Sequence, residues 1–292
     1  RALQEKCATP LALSLEETAH GIIEIANSAM VNALRLVSVR RGHDPRDFVM
    51  VGFGGAGPVH ANRIAAEADV PTVLIPMSPG IASAMGLLVT DLKHDFSVTM
   101  IQHAKELDAD AVDLAFTDMV EQGRIALARE LMPTEDMSFE RSADMRYYGQ
   151  SFELTVSLPE KPLAGVTLDT VLSDFHRAHE QAYGFAAGDE PVEFVNLRLT
   201  AIGTIAKPAL RKLASNQRKT MDAISAEREV YFVEAGGWTS CPVYDRYLLA
   251  PKAELVGPAI VEERDSTTVI HPGFVGSVDE YGNIFISQTN KR

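Results

Sequence analysis

One stretch constrains the fold more than any other. Residues 51–86, VGFGGAGPVHANRIAAEADVPTVLIPMSPGIASAMG, crowd glycines between an apolar run and a helical pattern. Gly52, Gly54 and Gly57 also spell G-x-G-x-x-G, a spacing that lets backbone turn from strand into helix and approach a pyrophosphate. A dinucleotide site further requires an Asp or Glu at the end of the next strand, to hold ribose hydroxyls. Here the second strand ends in LIPMSPG, so Pro76 or Met77 stands at that place, while Glu67 and Asp69 come too early. No lysine follows the glycines, which rules out a G-x-x-x-x-G-K-[ST] phosphate loop. Glycines in such a turn can also serve packing alone. The second turn, PMSPGIASAMG, again follows a strand and again carries small residues (Gly80, Ala82, Ser83, Ala84, Gly86). Two adjacent strand ends that open onto small-residue turns leave a crevice at the carboxyl edge of a sheet, where open α/β sheets bind ligands.

The surrounding pattern predicts alternating elements. A long helix is expected over 14–41, started by the capping box of Ser14 and Glu17. Arg40 and Arg41 suit its negative end, and Gly42 can supply a left-handed cap. FVMVGF (48–53) reads as a strand buried on both faces, and a helix from Pro58 to Ala68 follows. TVLIP (72–76) reads as a second buried strand, residues 81–92 as a short helix and DFSVTMI (95–101) as a further strand. Strands alternating with helices argue an α/β layer with a largely parallel sheet. Residues 108–131 read as an amphipathic helix, 139–158 as a β-hairpin, 168–184 as a helix closed by Gly184, and 192–205 as a long alternating strand. The polar, basic segment 207–220 reads as a long exposed loop. After residue 225, short strands punctuated by Gly and Pro predict an antiparallel sheet or small barrel. A boundary near 104–108 divides the chain into domains of residues 1–105 and 106–292.

Composition narrows the function. The net charge is −13, with no basic block, and a nucleic-acid binder needs clustered Lys and Arg. Charges or polar groups interrupt every apolar run before the ~18–20 residues of a membrane span, so no membrane association is expected. Cys7 and Cys241 stand in unlike contexts, which fits a reducing cytoplasm better than a disulfide framework. The chain begins without a methionine and is expected to be a piece of a longer protein.

Longer motifs add a family. VGFGGAGPVHA followed by VPTVLIPMSPGIASAMGLLVTDLKHDF resembles the hydantoinase A/5-oxoprolinase family, ATP-dependent cyclic-amide hydrolases with related ketone carboxylase subunits. The resemblance continues in MRYYGQSFELTV, FHRAHEQAYGF, EFVNLRLTAIG, PVYDRYLL and GPAIVEERDSTTVIHPGFVGSVDEYGN. It covers nearly the whole chain and corresponds to the C-terminal part of such subunits. It implies an α/β fold, the second lobe of an actin-like (acetate and sugar kinase) ATPase, followed by an α+β domain with a β-rich C-terminal part. It implies ATP as cofactor and the glycine loop as the adenosine motif, with Gly54, Gly55, Ala56 and Gly57 as contacts and Ser83 as a polar neighbour. Glycines let backbone approach adenine and ribose, and a helix N-terminus favours phosphate.

The family's phosphate turn, D-x-G-G-T-x-T-D, and its acidic groups for Mg²⁺ match nothing in this sequence. Those ligands are therefore expected outside this chain, which alone is expected to be inactive. The implied partners are a small-molecule cyclic amide, a hydantoinase B-type subunit or domain and the missing N-terminal ATPase lobe, within an oligomer. Catalytic residues stay unassigned. The function expected is that of an ATP-dependent hydantoin or 5-oxoproline hydrolase subunit; an acetone- or acetophenone-type carboxylase subunit, which shares the motifs, is the alternative. A non-catalytic assembly module, with a purely structural glycine loop, is the reading of another class.

Other residues carry both chemical and plain readings. His176 and His179 share a helix face at i, i+3 but lack a third zinc ligand at suitable spacing, so no metal site is assigned and a satisfied helix surface is the plainer reading. His60 could meet phosphate, or cap or pack its helix. Arg146 could clamp an anion and Tyr148 donate a proton, yet a hairpin with paired polar residues and a bulge at Gly149 explains MRYYGQSFEL. Asp265, with Thr267 and Thr268, reads as chemical or as a turn entering a strand.

Overall fold

The computed structural model describes residues 1–161, 163, 166–213 and 219–289. Local capping chemistry sets the first long helix, α1 (Leu15–Val37). The Ser14 hydroxyl accepts from the Glu17 N–H at 3.0 Å, and the Glu17 carboxylate accepts from the Ser14 N–H at 2.8 Å. The helix ends in a 3₁₀ turn, Val39–Arg41, closed by Gly42 at φ 81°. Then come β1 (Val49–Val51), α2 (Gly57–Glu67), β2 (Thr72–Ile75) and α3 (Ala82–Val89). The middle of the chain supplies β3 (Leu92–His103), α4 (Ala109–Arg129), β4 (Met137–Tyr147), β5 (Leu154–Leu158), α5 (Val166–Tyr183) and β6 (Val192–Gly203). Short strands close it: β7 (Ile224–Phe232), β8 (Gly237–Asp245), β9 (Glu254–Val256), β10 (Ala259–Glu262), β11 (Thr267–Ile270), β12 (Phe274–Val278) and β13 (Ile284–Gln288).

Contacts divide the chain into two units, Arg1–Leu88 with Pro208–Arg292, and Val89–Lys207. This differs from a single boundary at 105. DFSVTMI belongs to β3, whose partner is β6 of the second unit, and the C-terminal strands return to the first unit.

The first unit holds two sheets, ordered β1-β2-β13-β12-β9 and β11-β10-β8-β7. Among the described residues of this unit only β1 with β2 and β10 with β8 run parallel, so a largely parallel sheet is not what forms, nor a small barrel. After one parallel pair, β13 docks antiparallel on β2, Ile284 opposite Ile75. The core gathers Val31 of α1, Ala61 and Ile64 of α2, Val73 and Ile75 of β2, and Leu255, Ile270 and Ile284 from the returning strands. FVMVGF is not buried on both faces. β1 is a three-residue edge strand with Val49 52% and Val51 50% exposed, because only β2 pairs with it. α3 buries none of its residues, although Leu87 and Leu88 are apolar.

Leu15–Arg41 is long and apolar enough to cross a membrane by length and composition, although Glu24 and Asn27 interrupt its apolar run. Two of its polar side chains tie it to the protein: Glu24 pairs with Arg63 at 3.3 Å, and buried Asn27 accepts from His60 Nδ1 at 2.8 Å. His60 therefore ties α2 to α1.

The second unit is one antiparallel sheet, β3-β6-β4-β5, packed by α4 and α5. Phe116 and Met119 of α4, Phe175 of α5 and Phe194, Leu197 and Leu199 of β6 fill its core. β6 alternates less than its sequence suggests, because as a central strand it is covered on both faces over most of its length. Gly149 sits at φ 83° in the tight turn after β4, and the bulge falls instead between Asp144 and Met145. Gly184 closes α5 at φ 79°, its N–H reaching the Glu180 carbonyl at 2.8 Å. Of the loop expected over 207–220, residues 207–212 are exposed without regular structure, and 214–218 lie outside the described residues.

Candidate functional site: a crevice of three turns

The loop after β1 begins as a continuation of the sheet, with the Gly52 N–H reaching the Leu74 carbonyl at 2.9 Å. A Cβ on Gly52 would stand 2.7 Å from Ile75 Cδ1 and 2.8 Å from Ala61 Cβ, so this glycine is small because strand and helix pack through it. Gly54 then takes φ 83°, a left-handed conformation that glycine adopts without strain. Gly55 and Ala56 are exposed, and Gly57 opens α2.

The turn after β2 lies against this loop. The Gly54 N–H donates to the Pro79 carbonyl at 2.8 Å. Ser78 is left-handed at φ 56°, ψ 58°, a conformation that costs a non-glycine residue about 1 kcal/mol or more and persists only where surroundings fix it. Those surroundings are visible. Asn283 Oδ1 accepts from the Met77 N–H at 3.1 Å. Arg246, 2% exposed, donates through Nη2 to the carbonyls of Ile75 at 3.2 Å and Pro76 at 3.3 Å. Ser83 is exposed at the start of α3, four residues beyond Pro79.

A third segment arrives from the C-terminal half. The turn between β10 and β11, Glu263–Ser266, closes with the Glu263 N–H on the Ser266 carbonyl at 3.1 Å. The Ser266 hydroxyl faces the carbonyls of Gly55 at 3.1 Å and Gly54 at 3.4 Å. Asp265 lies directly over Gly80: a Cβ there would overlap its Oδ2 and stand 2.9 Å from its backbone oxygen. The sequence signalled the first two turns. It gave no sign that EERDST would complete them, nor that Arg246 would brace them.

Electrostatics under the crevice are unusual. Burial pulls the Arg246 pKa down to about 10, against the pull of Glu263 and Asp279; the group stays charged near neutrality. Burial raises the Glu263 carboxyl, with Arg246 opposing. The Ser78 backbone also lowers it slightly, without a well-formed hydrogen bond. Arg246 Nε and Nη1 and both Glu263 carboxylate oxygens are buried with no hydrogen-bond partner among the described residues.

The residues singled out in the second unit are engaged with protein. Tyr147 Oη accepts from the Ala187 N–H at 2.8 Å, which directs its own proton to His176 Nδ1 at 2.7 Å. Burial and the neighbouring His179 push the His176 pKa down. His179, 1% exposed, donates Nδ1–H to the Phe185 carbonyl at 2.7 Å, and its Nε2 lies 3.3 Å from Gln150 Nε2. Arg146 pairs with Glu193 at 2.9 Å and Glu153 at 3.6 Å, and Tyr148 lies against His103. Among the described residues no three His, Cys, Asp or Glu side chains are grouped to hold a metal ion. Cys7 and Cys241 are free thiols, and burial raises the pKa of Cys241. A cavity of about 610 Å³ lies away from the three turns, between α1 and α2 and strands β7, β8 and β11.

Known proteins share this sequence and fold. The chain is 39% identical over 97% of its length to an uncharacterized protein of Methanocaldococcus jannaschii, covering 40% of that protein. It is 30% identical to the caprolactamase subunit alpha of Pseudomonas jessenii and 28% identical to the acetophenone carboxylase gamma subunit of Aromatoleum aromaticum, spanning 95% and 97% of this chain and 40% of each relative. The crystal structure of the ATP-dependent caprolactamase from Pseudomonas jessenii superposes with a TM-score of 0.80 at 29% identity, over 98% of this chain and 42% of that one. The chain thus spans about two fifths of the length of these relatives. Family models match end to end, the hydantoinase/oxoprolinase model over residues 1–96 and the hydantoinase/oxoprolinase C-terminal domain over residues 100–288. With most of its length matched in this way, the chain belongs to the hydantoinase/oxoprolinase family.

Proposed function

We propose that this chain supplies the adenosine-side wall of an ATP site within a larger subunit that hydrolyses a cyclic amide at the expense of ATP. The observation that carries this reading is the convergence of Gly54–Gly57, Ser78–Gly80 and Glu263–Ser266 at the carboxyl ends of β1 and β2. The ATP-dependent caprolactamase supports both the nucleotide and the lactam class. ATP suits the chemistry, because an unstrained amide resists water until its oxygen becomes a phosphate leaving group. Gly54, Gly55, Ala56 and Gly57 offer backbone to the nucleoside, with Ser83 as a polar neighbour. In this reading the unit that carries the glycine loop belongs to an actin-like ATPase lobe. The phosphate turn, the Mg²⁺ ligands and the catalytic groups come from the remaining lobe or from a hydantoinase B-type partner, in an oligomer in the cytoplasm. The exposed apolar residues of β1 and α3 suit such partners.

The acetophenone carboxylase relative favours a second reading, in which ATP activates an enol and bicarbonate instead. Turnover of hydantoin, 5-oxoproline, caprolactam and acetone with bicarbonate by the complete enzyme separates the two.

Gly55→Val tests the nucleotide site itself. Gly55 is exposed, lies outside the left-handed region and would place its Cβ 3.5 Å from Asp265 O, an ordinary contact. Valine therefore fits the fold while its methyls fill the crevice. Calorimetry of the complete subunit with a non-hydrolysable ATP analogue should show binding weakened about tenfold or more, about 1.4 kcal/mol. Equal binding by both forms, or binding by neither, would sink the assignment.

A further inference from the structure

The glycine fingerprint raised a question that the first 105 residues leave open: which acid holds the ribose, if Pro76 and Met77 stand where it should be? The Glu263–Ser266 turn brings one. It is fixed from two sides, by the Ser266 hydroxyl on the glycine-loop carbonyls and by the Arg264 N–H on Tyr247 Oη at 3.2 Å. Asp265 stands at the tip of this turn, exposed, with its carboxylate against Gly80. Among the described residues that carboxylate has no hydrogen-bond or ion-pair partner. Gly80 lacks the side chain that would push it away.

Charge decides what such a group can take. An ionised carboxylate accepts hydrogen bonds and repels phosphate. The part of a nucleotide that suits it is the neutral, donor-bearing part. We propose that Asp265 accepts hydrogen bonds from the ribose hydroxyls of the bound nucleotide, and so sets the orientation of the nucleoside in the crevice. This rests on the ATP reading above and extends it to a residue outside the glycine loop. The acid of a dinucleotide fingerprint is replaced by one from a distant turn, carried to the same crevice by the return of the C-terminal strands.

The test is calorimetry of the complete subunit with ATP, 2′-deoxy-ATP, 3′-deoxy-ATP and inosine triphosphate, for the wild type, Asp265→Asn and Asp265→Ala. Hydrogen bonds to a charged group predict that the wild type prefers ATP to at least one deoxy form by about 10- to 100-fold. Asp265→Ala should bring that ratio within about twofold, and Asp265→Asn, which keeps one acceptor oxygen, should fall between. Unchanged fluorescence unfolding midpoints would show that all three forms are folded alike. If the wild type binds ATP and Asp265→Ala keeps the full ratio, the assignment of Asp265 falls and the ATP site stands. A wild type indifferent to both deoxy forms, or a variant that changes only the preference over inosine triphosphate, overturns it equally. No ATP binding by the wild type removes the ATP reading, and this inference with it.

Discussion

Gly80→Ala separates protein packing from ligand space in the crevice. A Cβ at Gly80 would overlap Asp265 Oδ2, stand 2.7 Å from Asp265 Cγ and 2.9 Å from Asp265 O. The carboxylate is exposed and can swing aside cheaply. The backbone oxygen cannot, and an ordinary contact requires it to move out from 2.9 to 3.4 Å. That movement pulls on Ser266, whose hydroxyl lies 3.1 Å from the Gly55 carbonyl. Overpacking of this kind costs about 1–3 kcal/mol. Stiffening the unfolded chain returns about 0.4–1 kcal/mol, which leaves a net loss of about 1–2 kcal/mol. For a unit of this size the melting temperature should fall by about 3–6 °C.

The sequence holds one tryptophan, Trp238, in β8 of the first unit. Its fluorescence during urea or thermal unfolding therefore reports the unit that contains the crevice. Gly55→Ala is the matched control, because its Cβ would meet Asp265 O at an ordinary 3.5 Å; it should stay within about 0.5 kcal/mol of the wild type. If Gly80→Ala is as stable as the wild type, or Gly55→Ala is equally damaged, the turn 263–266 does not pack on the glycine crevice as described.

Two further predictions concern the second unit. Tyr147→Phe leaves the Ala187 N–H and His176 Nδ1 without their shared partner, costing about 1–3 kcal/mol. Because burial and His179 hold His176 below its ordinary 6.5, its stabilising contribution is complete above that value and is lost as pH falls through the folded pKa. An NMR titration of His176 should show that depression in the wild type; a value at or above 6.5 would refute its burial beside His179. Asp144, 3% exposed, feels burial raising its pKa, but bonds from Asn196, Thr155 and Arg198 at 2.9, 2.8 and 2.7 Å outweigh it, and the net value lies below 3.8. Its contribution is present above 3.8 and lost as pH falls through the lower folded value. Asp144→Asn should cost about 2–4 kcal/mol at neutral pH and flatten the acid limb of unfolding followed by circular dichroism.

What could be read from the sequence was local. The start of α1 is legible because Ser14 and Glu17 act within a turn of the residues they cap, and the same holds for Gly184 after α5; the far end is not, since α1 stops at Val37 and Gly42 closes the following 3₁₀ turn, Val39–Arg41. FVMVGF shows the limit. An apolar run says that something should cover it but not whether this chain does, and β1 became a half-exposed edge. β3 was assigned to the first layer because it follows α3 in sequence, whereas pairing with β6, from Leu92 opposite Gly203 to His103 opposite Glu193, places it in the second unit. Long-range pairing of this kind leaves no trace in a local window.

The same distinction narrows the candidate site. Spacing alone makes every glycine of the two turns equal, but the structure divides them by what fills the missing side chain. At Gly52 it is Ile75 and Ala61, and at Gly80 it is Asp265, so at those positions the space is already occupied by protein. Around Gly54 no atom lies within 4 Å of a would-be Cβ, although φ 83° gives that glycine a conformational reason of its own. Gly55 has neither constraint: its backbone is ordinary, its contacts are ordinary and it faces solvent. A glycine that the fold does not require is the one whose smallness is most informative about a ligand. That places the weight of the nucleotide reading on Gly55, with exposed Ala56 beside it, and makes Gly55→Val against Gly80→Ala the contrast that separates binding from packing.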